Sequence, residues 1–397
     1  MMKRFFAVLC VALLMVLYRG GAELPAGPPQ PSEPNGEQPA PEPEIAPAPL
    51  TATLAAVGDD LIHDVIYQQA AARAPDGGYD FLPAYQRVQN EIASADLAVI
   101  NQETPLAGSL PPSSYPQFNT PPALAQTLCE LGFDVANLAN NHILDQGKDG
   151  LVQTVELLRG VDGITPAGVY LDDWEYSHPP VVERGGIRFA FLGFTQHTNA
   201  PRLTGADAGT IVYTDEADAI RRQIATAHRL ADVVVVSVHW GEENSSDPTP
   251  YQRSIAQMLA EAGADLVFGS HPHRLQPVEW LSGREGRRTL VFYSLGNFIS
   301  AQLEPANLVG GVAHVTVTKD PQTGEVALTD PYMTFVVTHY GAGFRQLELY
   351  PLEEYTDELA ARHGVPLSPG ERFDRAWIER LIAVSIDSRF TGISTDR

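Results

Sequence analysis

Apolar residues recur along this chain in short, nearly unbroken blocks separated by stretches with helical spacing. Val233 to Val238 is almost wholly apolar and runs into His239-Trp-Gly, while Leu266-Val-Phe-Gly runs into Ser270-His271-Pro-His273. Blocks of this length, bounded by glycine turns and divided by about a dozen residues of helix pattern, predict neighbouring buried parallel strands of an α/β sheet. The same reading predicts strands at Thr53–Val57, Asp96–Ile100, Phe133–Leu138 and Ile187–Leu192. Helices are predicted over Phe81–Ala93, Pro121–Gly132, Gly150–Arg159 and Asp215–Arg229. Gly185-Gly186 turns a hairpin, strands at Val278–Leu281 and Leu290–Leu295 flank a basic turn, and Pro321-Gln-Thr-Gly marks an antiparallel sheet edge. From Tyr350 onward the pattern turns helical.

The ends of these strands carry the chemistry. In open α/β sheets ligands bind at the carboxyl ends of the strands, so His239, His271 and His273 are predicted to converge on one crevice. One histidine at a strand end is more often a hydrogen-bonded residue than a ligand; three converging imidazoles point to a metal. His271 and His273 are two apart, so on an extended segment they project to the same side, with Pro272 fixing the backbone between them. The first strand ends in Gly58-Asp59-Asp60, which places a carboxylate at the same edge; Asp59 reads as a ligand and Asp60 as the cap of a helix starting near Leu61. The second ends in Asn101-Gln102-Glu103. The third ends in Asn140-Asn141-His142 with Asp145 three residues on, a set that reads either as a turn with asparagine in a left-handed conformation or as a site. In the second reading an Asn141 amide oxygen ligates a metal without adding charge, and His142 donates a proton while Asp145 orients it. His178, His197 and His228 lie off the strand ends and read as ordinary surface residues.

Composition adds the surroundings. Lys3 and Arg4, an apolar run from Phe5 to Tyr18 and Gly20-Gly21-Ala22 predict a signal peptide or short membrane anchor over residues 1–22. Residues 23–50 are dominated by Pro, Ala, Glu and Gln and predict a disordered linker. The folded part is expected as one domain over 51–345 with a mainly helical extension over 346–397. The 26 basic against 49 acidic residues give a net charge of -23, which argues against nucleic acid as a partner. With Cys10 inside the signal, Cys129 is the single remaining cysteine, so neither an intrachain disulfide nor a thiolate metal site is available.

Taken in order, Gly58-Asp59, Asn101-x-Glu103, Asn140-Asn141-His142-x-x-Asp145, His239-Trp-Gly, Ser270-His271-Pro-His273 and Ser294-Leu-Gly-Asn297-Phe resemble the CapA family of poly-γ-glutamate capsule proteins. That family is similar to the calcineurin-like metallophosphoesterases. The resemblance implies a four-layer α/β/β/α sandwich with one or two divalent ions, Mn, Fe or Zn suiting the mixed ligands best. It implies Asp59 and His273 on a first metal, Glu103 bridging, and Asn141, His239 and His271 on a second, with His142 as general acid. Two departures stand out: Leu61 occupies the place of the histidine in the usual Asp-x-His motif, with His63 out of register, and Glu103 replaces an aspartate. Arg202, Arg253 and Arg274 are expected to concentrate positive charge at the site. The implied function is exported, metal-dependent hydrolysis in the synthesis of a cell-envelope polymer, alongside membrane synthase or export subunits. A γ-glutamyl amide hydrolase or transferase, and a non-catalytic scaffold of an export complex, are the competing readings.

Overall fold

The computed structural model describes residues 48–75 and 77–391, together with Gly27. The expected signal over 1–22 and nearly all of the Pro-rich segment lie outside the described residues. Among the described residues, no helix is long and apolar enough to cross a membrane.

Two sheets face each other. The first comprises β1 (Leu50–Asp60), β2 (Leu97–Gln102), β3 (Val135–Asn137) and β4 (Thr165–Ala167). These four are parallel. The second comprises β5 (Val181–Arg184), β6 (Ile187–Thr195), β7 (Val233–His239), β8 (Leu266–Ser270), β9 (Leu275–Ser282) and β10 (Arg288–Leu295), in the order β5-β6-β7-β8-β10-β9. The chain then returns to the first sheet through β11 (Asn297–Ile299), β12 (Val309–Lys319), β13 (Val326–Gly341) and β14 (Arg345–Pro351). The first sheet therefore runs β14-β13-β12-β1-β2-β3-β4, with β11 paired in parallel to the end of β1.

The apolar blocks are unbroken because these strands are covered on both faces, and their alternate residues enter different cores. Phe189, Phe191, Val233, Val235, Leu266 and Phe268 lie in a core shared with the first sheet. Their neighbours Ala190, Leu192, Val234, Val236 and Val267 pack instead with the helices Ala217–Leu230 and Pro250–Ala262. Helices Asp64–Arg73, Ala123–Leu131 and Gly147–Arg159 contribute Ile66, Leu124, Leu128, Leu151 and Val155 to the first core. The result is the four-layer α/β/β/α arrangement implied by the resemblance. As the sequence predicts, β7 and β8 are parallel neighbours, with His239 opposite Ser270.

The structure departs from expectation at both ends of the domain. Asp60 caps no helix: it belongs to β1, is fully buried and accepts a hydrogen bond from the Tyr85 hydroxyl at 2.7 Å, while the following helix starts at Asp64. Burial pushes its pKa up to about 7. The boundary expected between residues 345 and 346 falls inside β14, an edge strand paired with β13, so the C-terminal extension extends the first sheet before its helices at Asp357–Ala360 and Arg375–Ser385.

Gly58 passes close to Gly296, the residue that leads into β11, and the Asp59 amide donates to the Gly296 carbonyl at 3.0 Å. A Cβ on Gly58 would sit 1.8 Å from that oxygen. Gly58→Ala must therefore push β1 and β11 apart, and it is expected to lower stability by about 2 kcal/mol or more in urea denaturation. A change within about 0.5 kcal/mol, the usual range for a surface substitution, would show that the contact is slack.

Candidate metal centre

The parallel strands of both sheets point their carboxyl ends at one crevice. β1 delivers Asp59, β2 delivers Asn101 and then Glu103, the turn after β3 delivers Asn140 to His142, β7 delivers His239, and the turn after β8 delivers His271 and His273. All are buried. Ligand atoms of Asp59, Glu103 and His273 lie within 4.8 Å of one another. His239 Nε2 is 3.6 Å from Glu103 Oε1 and 3.1 Å from His271 Nδ1, while His239 Nδ1 is 4.0 Å from Asp59 Oδ1. Glu103 is thus within reach of two groups of donors, Asp59 with His273 and His239 with His271.

The backbone is strained to achieve this. The expectation that His271 and His273 share a face of an extended segment is corrected: both have positive φ, 96° and 58°. Left-handed conformations are unfavourable for residues with a side chain and cluster at functional sites. The tight turn folds back so that the His271 amide reaches Asp59 Oδ2 at 3.2 Å while His273 Nδ1 reaches the same oxygen at 3.0 Å. Asn101 donates to Asp59 Oδ1 at 2.8 Å, and the Ser270 hydroxyl lies 2.9 Å from His239 Nδ1.

Several polar atoms here have nothing to bind. Both carboxylate oxygens of Glu103 and the Oδ1 of Asn141 are buried without a hydrogen-bond partner among the described residues. Burial, reinforced by the Asp59 carboxylate, raises the Glu103 pKa well above the usual range. Burial, together with the neighbouring imidazoles, holds His239 and His271 well below the usual histidine value, so both are neutral and keep a lone pair. Orphaned buried oxygens, with those of Glu103 beside the neutral His239, are what a divalent cation satisfies, so the donor set fits one.

His142 occupies the rim. Its Nδ1 lies 2.7 Å from Asp145 Oδ2, and Asp145 also accepts from the Phe118 amide at 2.8 Å. The Asn199 side-chain amide is 3.2 Å from the same nitrogen, and the Phe118 ring meets the imidazole edge-on at 4.8 Å. Two further histidines lie beside the site. His197, read as a surface residue, is half-buried with its ring edge-on to His271 at 5.2 Å. His63 also packs edge-on with Phe118 at 5.4 Å, and burial lowers its pKa to about 4. His178 and His228 lie elsewhere, the first stacked on exposed Trp174 and the second bound to the Gly263 carbonyl. The expected arginines are already engaged: Arg202 with Asp215, Arg253 with Glu279, and Arg274 with Asn307 and Glu304.

This arrangement coincides with a family match. The model for bacterial capsule synthesis protein PGA_cap covers residues 53–302. The chain belongs to this family. It is 36% identical over 188 residues to the PGA biosynthesis protein CapA of Bacillus subtilis, 45% of each chain. It is 35% identical over 178 residues to the capsule biosynthesis protein CapA of Bacillus anthracis, 44% of this chain and 41% of that one. The matched segments span under half the length of these curated relatives. A phosphatase from Mycoplasma pneumoniae overlays with a TM-score of 0.41 at 13% identity, over 72% of this chain and 94% of that one.

The unpartnered carboxylate makes a prediction about the metal-free protein. Glu103 takes up a proton more readily folded than unfolded, so its contribution to stability is fully present below the unfolded pKa near 4.5 and is lost as pH rises through the raised folded value. With chelator present, Glu103→Gln is expected to be more stable than the wild type at pH 7.5, by roughly 1–3 kcal/mol, with the gap closing towards pH 4.5 in urea denaturation. A variant less stable than wild type at pH 7.5 would contradict this.

Proposed function

We propose that this chain is an exported, divalent-metal-dependent hydrolase acting on a cell-envelope polymer of the poly-γ-glutamate kind. The observation that carries the reading is Glu103, a buried carboxylate with no hydrogen-bond partner on either oxygen among the described residues, within reach of two groups of nitrogen and oxygen donors. Asp59, Glu103 and His273 would hold a first ion, and Glu103, Asn141, His239 and His271 a second. The ions, Mn, Fe or Zn by the chemistry of these donors, would polarise the scissile group and lower the pKa of a water.

The chain's own residues supply the rest. Asp145, itself fixed by the Phe118 amide, accepts from His142 Nδ1, which leaves Nε2 as the nitrogen that exchanges a proton with the leaving group. Asp145 also stabilises the charged imidazolium from which that proton departs. Phe118 limits rotation of the ring and excludes water from one side of it. Ser270 and Asn101 keep His239 and Asp59 in place. Such a rim has little use in a pure scaffold, and the buried His142–Asp145 contact favours an enzyme over that reading. A γ-glutamyl amide hydrolase or transferase would use the same groups, and the substrate that turns over separates the two. The net charge of -23 supports a partner other than nucleic acid, with membrane synthase or export subunits of the polymer pathway as the expected associates.

The test is metal content by elemental analysis, with phosphodiester and γ-glutamyl probes assayed on the same samples. His142→Ala is expected to retain metal while kcat falls by about 10²–10⁴, and His239→Ala to lose metal and turnover together. A His142→Ala protein with unchanged kcat would remove the general acid from the account, and a wild type without metal would remove the hydrolase.

A further inference from the structure

The Ser294-Leu-Gly-Asn297-Phe stretch has no role in the reading above, yet it places an amide in the centre. Asn297 lies opposite Asp59 where β11 pairs with β1, and it is 1% exposed. Its Nδ2 donates to the Gln302 Oε1 and to the main-chain carbonyl of Asn307, each at 2.9 Å. A main-chain carbonyl is only ever an acceptor, so the amide orientation is fixed and Oδ1 must face the other way. That oxygen sits 2.9 Å from His273 Nδ1, which is 3.0 Å from Asp59 Oδ2.

These separations have a geometric meaning. Ligands held about 2.1 Å from one ion on perpendicular bonds stand about 3 Å apart. His239 Nε2 and His271 Nδ1, in the second group of donors, show the same spacing at 3.1 Å. The first group is one donor short, because Leu61 has no lone pair where the Asp-x-His histidine would stand.

We infer that Asn297 Oδ1 is a protein ligand of the first ion, beside Asp59, His273 and the shared Glu103. The inference rests on the metal-centre reading proposed above. An amide adds no charge, so Asp59 and Glu103 remain the only anionic ligands against ions of charge +2. The centre then stays cationic within a chain of net charge -23, and it attracts an anionic group without help from the engaged arginines.

The experiment is calorimetric titration of Mn2+ into the metal-free full chain and its Asn297→Ala and Asn297→Asp variants, with Co2+ absorption spectra recorded on all three. The wild type is expected to bind two ions. Asn297→Ala is expected to lose affinity for one of them by more than about 100-fold, beyond the range typical of a residue that only supports a ligand. The Co2+ bands of that site should change, and Asn297→Asp, which restores an oxygen, should recover the second ion. Should Asn297→Ala fail to fold, the Asn297→Asp protein decides: two ions with altered Co2+ bands support the ligand, and unaltered bands overturn it. Two ions bound by Asn297→Ala within threefold of wild type would overturn the ligand while leaving the metal centre standing. Weakened binding with an unchanged Co2+ spectrum would overturn it too, leaving Asn297 as a support for His273. A wild type that binds no ion would instead overturn the metal centre itself.

Discussion

Burying a carboxylate with no hydrogen-bond partner is among the more unfavourable things a fold can do, and among the described residues Glu103 has both oxygens in that state. The chain tolerates it at the junction of two sheets whose cores are otherwise apolar and fully packed. Asp59 is a second buried carboxyl group beside it, and burial holds His239 and His271 neutral, so neither of these imidazoles compensates the Glu103 charge. A divalent cation resolves all of these at once. The left-handed backbone at His271 and His273 belongs to the same account: that turn carries the His273 imidazole and the His271 amide onto Asp59 and sets the His271 imidazole against His239.

The fold makes this junction by bringing the carboxyl ends of β1, β2, β7 and β8 to one place, and it does so through close backbone approaches. Gly58 against Gly296 sets the distance between β1 and the segment that carries Asn297. Around the centre the supporting groups are mostly neutral amides and hydroxyls, Asn101, Ser270, Gln302 and Asn307, which fix the orientation of Asp59, His239 and Asn297 without adding charge. The guanidinium groups of Arg202 and Arg274 are paired with the carboxylates of Asp215 and Glu304. The positive charge that an anionic polymer would need is therefore left to the ions.

Much of this was legible in the sequence, for a simple reason. Asp59, Glu103 and His239 each follow an apolar block within three residues, and a residue at the end of a buried parallel strand is placed by the strand. His142 and Asp145 were legible because three residues of a turn hold them together. What escaped depends on contacts far apart in the chain. Asp60 looked like a helix cap because Tyr85, its partner 25 residues away, is invisible to local pattern. His197 looked like surface because nothing in the run after β6 shows that it folds over His271. The extended reading of His271-Pro-His273 followed the preference of proline, and the tertiary contacts to Asp59 overrode it. The C-terminal boundary was misplaced because β14 is a short edge strand whose pairing with β13 follows a tight turn.

The central claim, that this crevice is a divalent-metal centre organised about Glu103, is tested most directly by the anomalous X-ray signal of a Mn2+-soaked crystal of the full chain. The account predicts two anomalous peaks, one on each side of the Glu103 carboxylate, each within bonding distance of the side chains named for it. A crystal with no peak in the crevice, or with peaks only at exposed acidic groups elsewhere on the surface, would contradict it.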